Sequence, residues 1–228
     1  MFEYHRYVRT LGVVFLIFWT ALAIQPLNRQ DWILENLLMI PVTGMVVWGY
    51  RNHLFTRLGF TLIFLFCILH GIGAHYTYSQ VPYDVWWTSW FGHPFNDYFG
   101  WERNHFDRLV HFSYGLLIAY PIRELFLRVA KVRGFWGYFL PLDVTLSTSG
   151  FYELVEWVVV EVLGGEAGME YLGSQGDIWD AQKDMALAST GALIAILLTA
   201  VINIRCQRDF THEWLESLEV DPNELDHL

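Results

Sequence analysis

Apolar residues run through this chain in long blocks broken by short polar joints. Six blocks approach the roughly 20 residues that a helix needs to cross a bilayer: about 7–24, 32–50, 58–76, 107–127, 136–160 and 184–204. No strand-like alternation or internal repeat competes with them, so the pattern predicts an all-α, polytopic integral membrane protein, a six-transmembrane-helix bundle forming one membrane domain over 1–204. Residues 205–228 read as a short acidic tail, a solvated helix or a disordered end. The first block reads as a retained helix. Ala21 and Ala23 also sit where a signal-peptide cleavage site would place them. Pro41 falls inside the second block, where a membrane helix tolerates it.

The joints set the orientation. Ten of the 14 Lys and Arg flank the blocks on one side, among them Arg6, Arg9, Arg51, Arg57, Arg123, Arg128, Lys131 and Arg133. The other side holds Arg29, Arg103, Arg108 and Lys183. The positive-inside rule then places both termini in the cytoplasm. The joints on the outer side differ in kind. Residues 77–106 contain YDVWWTSWFGHPFNDYFGW, which reads as an aromatic belt or as a loop covering a site. Residues 161–183 contain GGEAGMEYLGSQGDIWDAQKD, whose glycines imply irregular backbone and whose Glu161, Glu166 and Glu170 read as solvated.

Composition strengthens this picture. The chain is 54% hydrophobic and 17% charged, with 11 Trp. Its formal net charge of −10 argues against a nucleic-acid partner. Cys67 and Cys206 are far apart and predict neither a disulfide nor a Cys-x-x-Cys site.

Candidate chemistry comes from polar residues inside the blocks. With the orientation above, His70 and His75 lie in the outer part of the third span. Asp107 and His111 begin the fourth, Glu153 and Glu156 lie in the outer half of the fifth, and Asp180 and Asp184 begin the sixth. Four spans thus bring titratable groups to one face of the membrane. Asp107 and His111 are i,i+4, and Glu153 and Glu156 are i,i+3, so each pair shares a helix face. Asp177 joins Asp180 and Asp184 on one face if the last helix starts that early.

A carboxylate at a helix centre costs about 3 kcal/mol, so five facing lipid would cost roughly 15 kcal/mol. They must face inward and be neutralised by Arg103, Arg108, Lys183, shared protons or a cation. A divalent metal such as Zn, Mn or Mg is the implied cofactor, with Asp107, His111, Asp180, Asp184, His70 and His75 as candidate ligands. Glu153 and Glu156 are the candidate general bases for metal-assisted attack on an ester or phosphoester. Each reading has a structural alternative. A buried histidine can be a packing residue, and Asp177 and Asp180 can cap a helix start. Gly191 with Ala195 and Ala188 with Ala192 read as close helix packing.

The segments FDRLVHFSYGLL, FYELVEWVV and GDIWDAQKDMALASTGALIA resemble the VanZ-like membrane proteins over about 103–200. That family's pattern is an Asp-x-x-x-His pair entering a helix, then a Glu on the next helix, then Asp residues before a small-residue helix. With HGIGAHYTYSQVP and RNHFDRLVHF included, nearly the whole chain resembles the YjdF-type bacterial inner membrane proteins. The sequence departs from the VanZ-like pattern at ELVEW, where Glu-x-x-Gln is more usual. The VanZ-like resemblance implies a link to glycopeptide resistance.

Three functions fit. The first is a membrane-embedded, metal-dependent enzyme acting on lipid or cell-envelope material. The second is a non-catalytic binder of lipid or an envelope-derived ligand. The third is a proton- or cation-coupled transporter. Membrane lipid is a partner in each.

Overall fold

The computed structural model describes residues 2–165, 168 and 173–206, with the side chains of Phe2, Leu38 and Leu163 left aside. Glu166, Glu170 and the acidic tail from 207 onward, expected to be solvated, lie outside the described residues. The described chain forms seven α-helices and no strand: α1 (Phe2–Leu22), α2 (Arg29–Arg51), α3 (Arg57–His75), α4 (Tyr83–Phe91), α5 (Phe106–Val129), α6 (Trp136–Leu163) and α7 (Asp180–Arg205). Six are long and coincide with the six apolar blocks. The seventh, α4, is a short helix within the aromatic joint. By length and composition, three are long and apolar enough to cross a membrane: α2, α3 and α7.

Local signals fix the helix ends. The Asn28 side chain accepts the Gln30 and Asp31 backbone N–H groups, which caps α2. Thr56 caps α3 by accepting the Gly59 N–H, at 3.1 Å. The buried Glu124 carboxylate of α5 accepts the Thr56 N–H at 3.0 Å, which ties the start of α3 to α5. The last helix does not start early enough to carry Asp177, the condition on which that residue would share a face with Asp180 and Asp184. It starts at Asp180, because the Asp177 carboxylate instead accepts the Trp179 N–H at 3.1 Å and closes a turn. Both cysteines are free.

The tightest packing is between α5 and α7. A Cβ on Gly115 would lie 1.8 Å from the Ala188 carbonyl oxygen, and one on Gly191 would lie 2.2 Å from that of Phe112. The two backbones touch where glycine and alanine alternate, as small residues allow in membranes. Below this crossing Ala119, Tyr138, Ala192, Ala195 and Ile196 form an apolar layer. Tyr4, on α1, donates to the Phe55 carbonyl at 2.9 Å, and α1 packs against α3.

The distribution of side chains is inverted relative to a water-soluble protein. Ile17, Leu37, Ile40, Leu198 and Ile202 are exposed, while Asp31, Glu35, His111, Arg123 and Asp184 are buried. An outward apolar shell of this extent marks contact with lipid or another apolar phase.

Candidate functional site

The site is built at the ends of α5, α6 and α7 that lie beside the aromatic joint. Asp107 and His111 occupy the first two turns of α5 and, four residues apart, face the same way. Asp184 lies one turn into α7, brought alongside by the close α5–α7 crossing. One donor atom from each of Asp107, His111 and Asp184 lies within 4.8 Å of the others. His111 Nε2 is 3.6 Å from Asp107 Oδ1 and 3.5 Å from Glu153 Oε1 of α6. His111 is 8% exposed and Asp184 2%.

These distances discriminate between roles. At 3.5–3.6 Å the imidazole makes no ordinary hydrogen bond to either carboxylate. Donors held about 2.1 Å from a tetrahedral cation stand roughly 3.4 Å apart. Asp184 Oδ1 and Glu153 Oε1 are buried and have no hydrogen-bond partner among the described residues. A buried carboxylate oxygen left without a donor is costly unless a cation or a proton meets it. One imidazole and two or three carboxylates form a mixed N/O set suited to Mn, Zn or Mg.

Glu156 is hydrogen-bonded to Glu153. The neighbouring Tyr152 hydroxyl donates to Glu35 Oε2 at 2.8 Å, and its ring meets His111 edge-on with centroids 6.0 Å apart. Glu35, 3% exposed on α2, thereby joins the acidic group. Sequence reasoning passed over it. Asp31 and Glu35 are i,i+4 at the start of an apolar block, the same signal that singled out Asp107 and His111.

The expected neutralisers form a separate tier. Arg103 Nη1 lies 2.8 Å from Asp180 Oδ1, and Arg108 Nη2 lies 3.1 Å from the same atom and 2.5 Å from Asp177 Oδ2. Lys183 Nζ also meets Asp177 Oδ2, at 2.5 Å. Asp180 is therefore engaged by arginine and stands apart from the three-residue group. No Lys or Arg makes an ion pair with Asp107, Glu153, Glu156 or Asp184 among the described residues.

Outside the membrane-spanning stretches, the Asp177 carboxyl is held well below its ordinary value, first by the Lys183 hydrogen bond and then by the Trp179 N–H. Burial, followed by the Arg108 and Arg103 charges, lowers the His105 imidazole.

The histidines of α3 lie elsewhere. His70 is buried, with Nδ1 2.5 Å from the Tyr78 hydroxyl. His75 Nδ1 is 2.7 Å from the Leu22 carbonyl oxygen. Neither belongs to the Asp107–His111–Asp184 group. The aromatic joint folds over this end. The Tyr83 hydroxyl donates to Asn96 at 2.8 Å, Asn104 donates to the Val81 carbonyl at 2.8 Å, and Trp101 stacks on His105 with centroids 4.2 Å apart.

Comparison with known proteins adds the following. The family described as "Predicted membrane protein (DUF2238)" matches residues 7–205. The protein described as "Inner membrane protein YjdF" of Escherichia coli (strain K12) is 36% identical over 184 residues, covering 80% of this chain and 84% of that protein. These matches bear out the YjdF-type resemblance and do not show the VanZ-like one. No solved structure matches.

Proposed function

Since the chain belongs to the DUF2238 family of predicted membrane proteins, we propose that it is a six-span inner-membrane enzyme that hydrolyses an ester or phosphoester in lipid or cell-envelope material. Asp107, His111 and Asp184 would hold a divalent cation, which would supply Lewis-acid polarisation of the scissile ester or phosphoester. The observation that carries the reading is the meeting of those three donors, within 4.8 Å of one another, beside the unpartnered oxygens of Asp184 and Glu153.

In this reading α1, α2, α3, α5, α6 and α7 all span, both termini are cytoplasmic, and the site opens toward the outer leaflet. The E. coli relative's description as an inner membrane protein supports the compartment. Glu153 is the base, with Glu156 as the carboxyl that exchanges a proton with it. Water adds to the carbonyl carbon or the phosphorus, and Glu153 takes its proton. The ester bond then breaks, and the departing alkoxide oxygen receives that proton.

The apolar layer of Ala119, Ala192, Ala195 and Ile196 beneath the group favours a one-ended site over a path through the membrane. Elemental analysis of purified protein tests the proposal. Wild type is expected to carry about one divalent cation per chain, and the Asp107→Ala, His111→Ala double variant to lose it while remaining helical. Glu153→Gln is expected to keep much of the metal and to lose turnover by about a hundredfold or more. Equal metal content in wild type and double variant contradicts the cation site.

A further inference from the structure

We infer that the Nε–Nη2 edge of Arg103, beside Arg108, is a phosphate subsite, and that the substrate is a lipid carrying a phosphate ester. The inference rests on the reading above for what becomes of the phosphate; the binding itself does not require the cation.

Arg103 uses one corner of its guanidinium. Nη1 donates to the Ser174 carbonyl at 3.0 Å and meets Asp180 Oδ1 at 2.8 Å. Nε and Nη2 are both buried, and neither has a hydrogen-bond partner among the described residues. These two nitrogens carry the parallel N–H pair with which arginine grips two oxygens of one phosphate or carboxylate. Arg108 Nε is buried and unpartnered as well. Three unmatched cationic donors on two adjacent side chains are rare in a folded protein.

Charge selects the ligand. Arg103, Arg108 and Lys183 make their ion pairs with Asp177 and Asp180, and three cationic side chains meeting two carboxylates leave arginine donors free for an anion. A phosphate can place two oxygens on the Arg103 edge and a third toward Arg108, which a carboxylate cannot. Depth places the reacting bond. Asp180 and Asp184 are i,i+4 on α7, and Arg108 follows Asp107 in sequence, so the arginine tier lies one helical turn from the Asp107–His111–Asp184 group. The surroundings favour a lipid over a free anion. Ile178, 85% exposed, and Trp179 lie between Asp177 and Asp180 in the chain, and Trp90 of α4 is 81% exposed. Apolar and tryptophan side chains presented beside arginines suit the headgroup level of a bilayer.

The test measures binding of phosphatidic acid, diacylglycerol and inorganic phosphate to the full chain in mixed micelles, with and without added Mn(II). Wild type is expected to prefer phosphatidic acid over diacylglycerol by at least about tenfold. Arg103→Lys, which keeps the charge near Asp180 and removes the paired edge, is expected to lose roughly tenfold of that affinity with unchanged Mn(II) uptake. Competition by millimolar inorganic phosphate supports the phosphate subsite and assigns the chemistry to the phosphate group itself; a preference that inorganic phosphate does not reduce supports the lipid as its source. If Mn(II) is not taken up but the Arg103-dependent preference persists, the subsite stands and the cation reading falls. If phosphatidic acid and diacylglycerol bind equally, or Arg103→Lys binds like wild type, the subsite is overturned.

Discussion

Asp177 and His105 lie near enough for the Asp177 charge to act on the imidazole, and both make the folded protein sensitive to acid in the same direction. The Asp177 carboxyl is depressed by Lys183, Trp179 and Arg108, so its stabilising effect is complete above its unfolded value, about 3.9, and fades as pH falls through the carboxylate range. The His105 imidazole is also depressed, by burial and two arginines, so the fold prefers it neutral. Its contribution is complete above about 6.5, the unfolded value, and is lost below that. Thermal unfolding followed from pH 8 to pH 3 is therefore expected to show two losses, one setting in below about 6.5 and one below about 4. His105→Gln is expected to remove the first and leave the second. Tyr152 offers a separate test. Its hydroxyl donates to the buried Glu35, so Tyr152→Phe is expected to lower stability by about 1–3 kcal/mol in a denaturant or thermal assay.

At the level of elements, the crossing of α5 and α7 decides where Asp107, His111 and Asp184 stand. Gly115→Ala places a methyl against the Ala188 carbonyl, which is backbone and cannot swing aside. The expected cost is at least about 2 kcal/mol, with loss of the site geometry. Gly44→Ala on α2 meets nothing within 4 Å and removes glycine's entropic disadvantage, so it is expected to gain about 0.5–1 kcal/mol. Thermal shifts of opposite sign in one detergent check the pair.

Much of this level was legible in the sequence. The apolar blocks gave all six long helices. The i,i+4 spacing of Asp107 and His111 gave their shared face, and the small residues at 188, 191, 192 and 195 gave the tight packing. Glu35 was not found, because its block, 32–50, was read for apolar length alone. The division of labour among carboxylates was also hidden. Arg103 and Arg108 come 69 or more residues before Asp177 and Asp180 in sequence, and only the folded chain pairs them there and leaves Asp184 without a Lys or Arg ion pair among the described residues. His70 and His75 looked like ligands by depth alone, and their helix turns them toward Tyr78 and Leu22 instead.

For the whole molecule, the exposed apolar shell and the one-sided distribution of Lys and Arg give the six-span reading a direct test. A phosphatase reporter fused after Ser79 is expected to be active outside the cytoplasm, and one fused after His53 to be inactive. The reverse pattern would turn the bundle over and place the site at the cytoplasmic face. Within the bundle, charge is layered from the end beside the aromatic joint. Arginines and lysine meet Asp177 and Asp180 first, the acidic group with His111 follows, and an apolar layer closes the bottom. No Lys or Arg makes an ion pair with that group among the described residues, and the proposed function requires a bound cation to neutralise it.

Pulsed electron paramagnetic resonance of the Mn(II)-loaded protein tests that requirement most directly, because it reports the atoms bound to the ion. Wild type is expected to show coupling to a single imidazole nitrogen, and His111→Gln to bind the ion more weakly and without that coupling. Mn(II) that shows no nitrogen coupling, or a coupling that survives His111→Gln, would contradict the account.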